Sequence, residues 1–91
     1  MKTISDSIQG DLTIKEDSTF HNVYLQSLIV EENIMARLYG IVEDTIHIKK
    51  GATVYLHGKL QGEVINEGGI VYIFSPNGQI QSFYPGLAHS N

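Results

Sequence analysis

Apolar and polar residues alternate along most of this chain, and a corner interrupts the alternation at regular intervals. Four stretches share the form: Leu12-Thr13-Ile14-Lys15-Glu16-Asp17, Leu28-Ile29-Val30-Glu31-Glu32-Asn33, Ile46-His47-Ile48-Lys49-Lys50-Gly51 and Val64-Ile65-Asn66-Glu67-Gly68-Gly69. Each is a short apolar strand, then a charged residue, then Asp, Asn or Gly. They begin at residues 12, 28, 46 and 64, at spacings of 16, 18 and 18. A period near twenty residues is the mark of a solenoid.

The aligned columns have separate physical meanings. The first (Leu12, Leu28, Ile46, Val64) and third (Ile14, Val30, Ile48, Asn66) lie two apart, so they share one face of a strand. The fourth (Lys15, Glu31, Lys49, Glu67) alternates in sign. Coils stacked roughly 4.8 Å apart would put opposite charges over one another there, where like charges would repel. The sixth (Asp17, Asn33, Gly51, Gly69) holds residues that tolerate left-handed backbone at a tight corner.

Between corners the chain returns. Ala36-Arg37-Leu38-Tyr39-Gly40 aligns with Val54-Tyr55-Leu56-His57-Gly58, and Tyr72-Ile73-Phe74-Ser75-Pro76 follows in the fourth unit. Alternation puts Ala36, Leu38, Val54, Leu56, Tyr72 and Phe74 inside. Met35, Arg37, Tyr39, Thr53, Tyr55, His57, Val71 and Ile73 then face outward, with the opposite parity an alternative for the fourth unit. The first unit is two residues shorter, so Phe20, Val23 and Leu25 need a bulge to reach the interior. Met1 to Asp11 read as a polar cap in which Ile4 and Ile8 allow one helical turn. Ser75-Pro76-Asn77-Gly78 is a turn by composition. Gln79 to Phe83 is a last short strand, and Leu87 to Asn91 a loose tail.

The predicted fold is all-β: a small right-handed parallel β-helix of about four coils. Residues 1–91 form a single domain, with a cap over 1–11, coils over 12–83 and a tail over 84–91. The alternative is an antiparallel β-barrel or meander. The stretch Val64-Ile65-Asn66-Glu67-Gly68-Gly69-Ile70-Val71-Tyr72 resembles the repeats of adhesin and autotransporter passenger domains, in which an Asn-x-Gly-Gly corner follows a short strand. The short coils also resemble those of bactofilins, bacterial polymer-forming cytoskeletal proteins. Both resemblances imply a solenoid; the second implies self-assembly. The polar, uneven ends and irregular first coil depart from bactofilins.

Composition narrows the chemistry. Ten acidic residues against six basic ones give a net charge of −4, which disfavours general nucleic-acid binding. Absence of cysteine removes disulfides and thiolate metal sites. No stretch has the apolar length of a signal peptide or a membrane span, so a cytoplasmic location is expected and membrane association is not.

No catalytic constellation is legible, and the expectation is no enzyme, no cofactor and no metal. His21, His47, His57 and His89 lack metal-ligand spacing. No serine stands in a Gly-x-Ser-x-Gly elbow, and Gly58-x-x-x-Gly62 lacks the Lys-Ser or Lys-Thr of a phosphate loop. The pairs Glu31-Glu32 and Glu43-Asp44 could serve a glycosidase, but four coils offer little groove for a polysaccharide. A carbohydrate-binding or lyase fragment is therefore a third reading.

The outward row contains interface-forming residue types, Arg37, Tyr39, Tyr55, His57 and Ile73. Glu31, Glu32, Glu43 and Asp44 could steer a basic partner. A terminal segment around Tyr84 folding over this row would be the purely structural explanation. The first functional expectation is a protein-binding module, an immunity or antitoxin-type inhibitor that occludes a bacterial toxin domain. The alternative is a self-assembling structural protein of bactofilin or adhesin type. Expected partners are a protein, a basic toxin domain or a second copy of the chain.

Overall fold

The computed structural model describes residues 1–83; the expected tail, His89 and any cover supplied by Tyr84 lie outside them. Eight strands and no helix make up the described chain: β1 (Lys2–Ile4), β2 (Ile8–Ile14), β3 (Ser18–Val30), β4 (Met35–Ile48), β5 (Thr53–Leu60), β6 (Glu63–Asn66), β7 (Ile70–Phe74) and β8 (Ile80–Phe83). All pairs are parallel except β7 with β8. This is a β-solenoid of about four turns.

Each coil has three sides, because the long strands bend. Side A is Ser18–Phe20, Met35–Tyr39, Thr53–His57 and β7. Side B is the short run through Leu25, Val42 and Leu60. Side C holds the four aligned strands, pairing Leu12 with Leu28, Leu28 with Ile46 and Ile46 with Val64. The bend between sides A and B is made by Gly40 and Gly58, at φ 149° and 154°. A Cβ on Gly58 would strike the Gly40 carbonyl oxygen, and one on Gly40 the Val23 carbonyl oxygen. Only glycine lets the backbones of successive coils approach this closely. The glycines of Gly58-x-x-x-Gly62 thus serve corners.

The core is a set of vertical columns. Leu28 and Ile46 stack on side C, Leu38 and Leu56 on side A, and Leu25 and Val42 on side B; all six are fully buried. The shorter second coil reaches the same interior through register shifts between Phe20 and Val23 and between Leu25 and Ser27. Phe20, Val23 and Leu25 are buried, as the bulge required.

Three sequence expectations need correction. The stretch 1–11 is neither a helical turn nor a cap. Lys2–Ile4 and Ile8–Gly10 pair in parallel with β3 and form sides A and B of a first coil. The fourth coil has the opposite parity: Val71 and Ile73 are 0% and 5% exposed, while Tyr72 and Phe74 face outward. Thr53 to Ile70 is a step of 17 residues, not 18, because the corner before β7 is one residue shorter. A change of one residue turns every side chain of a strand over. The same deletion moves the left-handed residue from the Gly51 column to Gly68. Asn33 and Gly51 do take positive φ, at 60° and 76°, but Asp17 does not; its Oδ1 instead accepts from the Met35 amide at 2.9 Å.

The two ends differ. At the N-terminal end the first coil leaves the edges of β1 and β2 uncovered among the described residues. At the other end side A continues past its neighbours. Among the described residues six strands stack there (β1, β3, β4, β5, β7, β8) against four on side C (β2, β3, β4, β6). Two strands amount to a step of roughly 10 Å. A notch of about 210 Å³ lies at its foot, between Lys59 and Leu60 below and Ile73, Asn77 and Gln79 beside it.

Candidate functional site

Side A carries two neighbouring ladders of ring and guanidinium groups, built by the i, i+2 alternation of its strands. In the first, Arg37 lies 4.8 Å from the Tyr55 ring centroid, and Tyr55 stacks on Tyr72 at 5.4 Å. In the second, His21, Tyr39, His57 and Phe74 stack at 5.4, 4.6 and 4.6 Å with interplanar angles of 8°, 12° and 10°. In-register parallel strands place Tyr39, His57 and Phe74, and likewise Arg37, Tyr55 and Tyr72, over one another, so these stacks follow from the coil repeat; His21 joins from just past Phe20, at the register shift. Tilted contacts of Phe74 with Tyr55 and Tyr72 join the ladders at the upper end.

Arg37 also ties the ladders together. Its Nη1 is 2.6 Å from His57 Nε2. Guanidinium has donors only, so Nε2 accepts and the imidazole is neutral with its proton on Nδ1. Burial, and secondarily the Arg37 charge, hold the His57 pKa below the ordinary histidine value. The result is a rigid face whose side chains are fixed by one another. Ring faces are occupied by neighbouring rings along the ladders, so mainly edges, the Tyr hydroxyls and the guanidinium margin face outward. Sugar stacking needs free ring faces, and side A has few to give.

The predicted site residues divide by side. Arg37, Tyr39, Tyr55 and His57 come together on side A, as placed. Ile73 belongs to the core, and Tyr72 and Phe74 take the outward positions. Alternation alone could have found these two had the shorter corner been recognised. Glu31 and Glu32 lie at the corner that leads into side A, with Glu31 paired to Lys49 Nζ at 3.3 Å. Glu43 and Asp44 lie at the far corner, between sides B and C. The four acids therefore do not form one patch with the tyrosines.

Glu43 is held by its own cluster. Tyr24 Oη donates to one carboxylate oxygen at 2.6 Å and Gln26 Nε2 to the other at 2.7 Å. These bonds, the tyrosine's first, lower the Glu43 pKa, and the carboxylate raises that of Tyr24. The cluster went unseen in the sequence because a register shift separates Leu25 from Ser27.

The alternating charge column gives one ion pair, Glu31 with Lys49; Glu67 turns instead to His47 Nε2 at 2.7 Å. His47 and His57 thus stand on different sides and share no site. Among the described residues no three His, Asp or Glu side chains converge as metal ligands. No protein-family model, curated protein or solved structure matches the chain, which is placed by its geometry alone as a β-solenoid of about four turns.

Proposed function

We propose that the chain is a non-enzymatic protein-binding module that works from side A. The observation that carries this is the pre-ordered array of Arg37, Tyr39, Tyr55, His57, Tyr72 and Phe74. Tyr and Arg dominate the energetic centres of interfaces, and side chains already fixed by stacking lose little entropy on binding. The finer form is an immunity or antitoxin-type inhibitor in the cytoplasm of a bacterium. The net charge of −4 favours a basic partner, with Glu31 and Glu32 beside side A contributing to steering.

A bactofilin-like or adhesin-like filament is the second reading. The uncovered N-terminal edges favour it. The step at the C-terminal end disfavours a continuous head-to-tail stack, since among the described residues a following coil would meet β7 and β8 on one side and no strand at that level on the other two.

Binding of the purified protein to a panel of basic bacterial nuclease toxin domains tests the module. At least one nanomolar complex is expected, weakened about a hundredfold or more by Tyr55→Ala with Tyr72→Ala. Micromolar or weaker binding across the panel would remove the inhibitor reading.

A further inference from the structure

From the N-terminal edge we infer that two copies of this chain pair head to head through β2, as a two-fold antiparallel ladder centred on Thr13. This surface is distinct from side A and does not depend on its role.

The backbone sets which groups are available. The Glu31 amide donates to the Ile14 carbonyl at 3.0 Å, so Ile14 directs its backbone groups toward β3. Leu12 does the same by alternation, and Thr13 points its N–H and C=O away from β3 toward the uncovered edge. Asp11 within β2, and Lys15 one residue beyond its end, flank it at the same two-residue alternation. In an antiparallel ladder, residues whose groups point at the partner stand directly opposite one another. Two-fold axes at residues 11, 12, 13 or 14 satisfy that condition.

Charge selects among them. An axis at residue 11 would put Asp11 against Asp11. Axes at residues 12 and 14 pair Thr13 with Asp11 or with Lys15, and leave the other charge unmatched. The axis at Thr13 pairs Asp11 of each copy with Lys15 of the other, twice, and Thr13 with itself. All three side chains are exposed and lie on the outer face, while Leu12 meets Ile14 on the inner face. Opposite charges directly across a ladder stabilise it and like charges destabilise it. A self-complementary strip of this kind is what an isologous interface requires.

The end also exposes apolar surface beside the Lys2–Glu16 ion pair. Ile4, Ile8 and Leu12 are only half-buried against the core, and a cleft of about 300 Å³ opens between β1 and β2, lined by Ile4, Ile8, Ile14 and Phe20. A second copy on this end covers them. At the other end the step, among the described residues, leaves no flush surface of equal extent. Gly10, at φ 89°, breaks the extended run of β2 and limits the ladder to a short stretch.

Sedimentation equilibrium of the full chain over about 1 µM to 1 mM tests this. Wild type should pass from monomer to dimer and stop there. Asp11→Lys should raise the dimer dissociation constant at least about tenfold, by setting like charges opposite at both pairs. Asp11→Lys with Lys15→Asp should restore it to within about threefold, since the attraction returns with its sign reversed. Circular dichroism confirms that each exposed-site variant is folded. A monomer throughout the range, growth beyond a dimer, or a dimer indifferent to the single exchange would each overturn the inference.

Discussion

Arg37 Nη1 lies 2.6 Å from His57 Nε2, across one coil step and between the two ladders of side A. The bond exists only while His57 is neutral. Protonation would remove the acceptor and set two cations side by side.

A pH dependence follows, with a definite sign. The folded pKa of His57 is depressed, by burial first and Arg37 second. Between the folded value and the unfolded value of about 6.5, the unfolded chain binds more protons. Stability from this site is therefore complete above about pH 6.5 and declines as pH falls toward the folded value. Thermal melts from neutral to mildly acidic pH should show that loss. His57→Gln, which keeps an acceptor but does not titrate, should flatten this part of the profile.

Gly58→Ala should be among the most damaging single changes. The new Cβ meets the Gly40 carbonyl oxygen, and φ of 154° suits glycine. Backbone strain and overpacking together put the cost at about 3 kcal/mol or more. That corresponds to a melting temperature lower by roughly 12–24 °C in a domain of this size. A change of only a few degrees would mean that the coils do not approach as described.

Asn66 holds the last corner together. Its Oδ1 accepts from the Gly68 and Gly69 amides at 2.9 and 2.8 Å, and its Nδ2 donates to the Gly69 carbonyl at 2.9 Å. Asn66→Ala leaves those groups unpaired beside the core and should cost roughly 1–3 kcal/mol in denaturant titration. Asn66→Asp keeps the two accepted bonds and should cost less.

The Glu31–Lys49 pair makes a contrasting case. Both side chains are about a third exposed, at 36% and 35%, so solvent screens them. A double-mutant cycle with both changed to Ala should give a coupling below about 1 kcal/mol, falling further in high salt.

Much of the fold could be read from the columns. Leu28 over Ile46 and Leu38 over Leu56 recur at the coil period, and a stacked coil is the arrangement in which that recurrence has a cause. The first coil stayed hidden because Lys2 occupies a register position opposite buried Ser18, so its apolar pattern is incomplete. The last coil was ambiguous because Val71 and Ile73 are as apolar as Tyr72 and Phe74; only the length of the corner decides between them. Four of the seven ladder residues of side A, Arg37, Tyr39, Tyr55 and His57, were legible from the alternation. The Tyr24–Glu43–Gln26 cluster crosses a register shift, where column alignment fails.

We propose side A as the surface that meets a partner. Hydroxyl-radical footprinting of the chain, alone and with a bound toxin domain, reads it most directly, since tyrosine side chains report their own exposure. Tyr24, 49% exposed on side B, is the internal control. Tyr39, Tyr55 and Tyr72 should lose labelling in the complex while Tyr24 keeps it. Protection of Tyr24 with unchanged labelling of Tyr39, Tyr55 and Tyr72 would contradict the claim and move the binding surface away from the ladders.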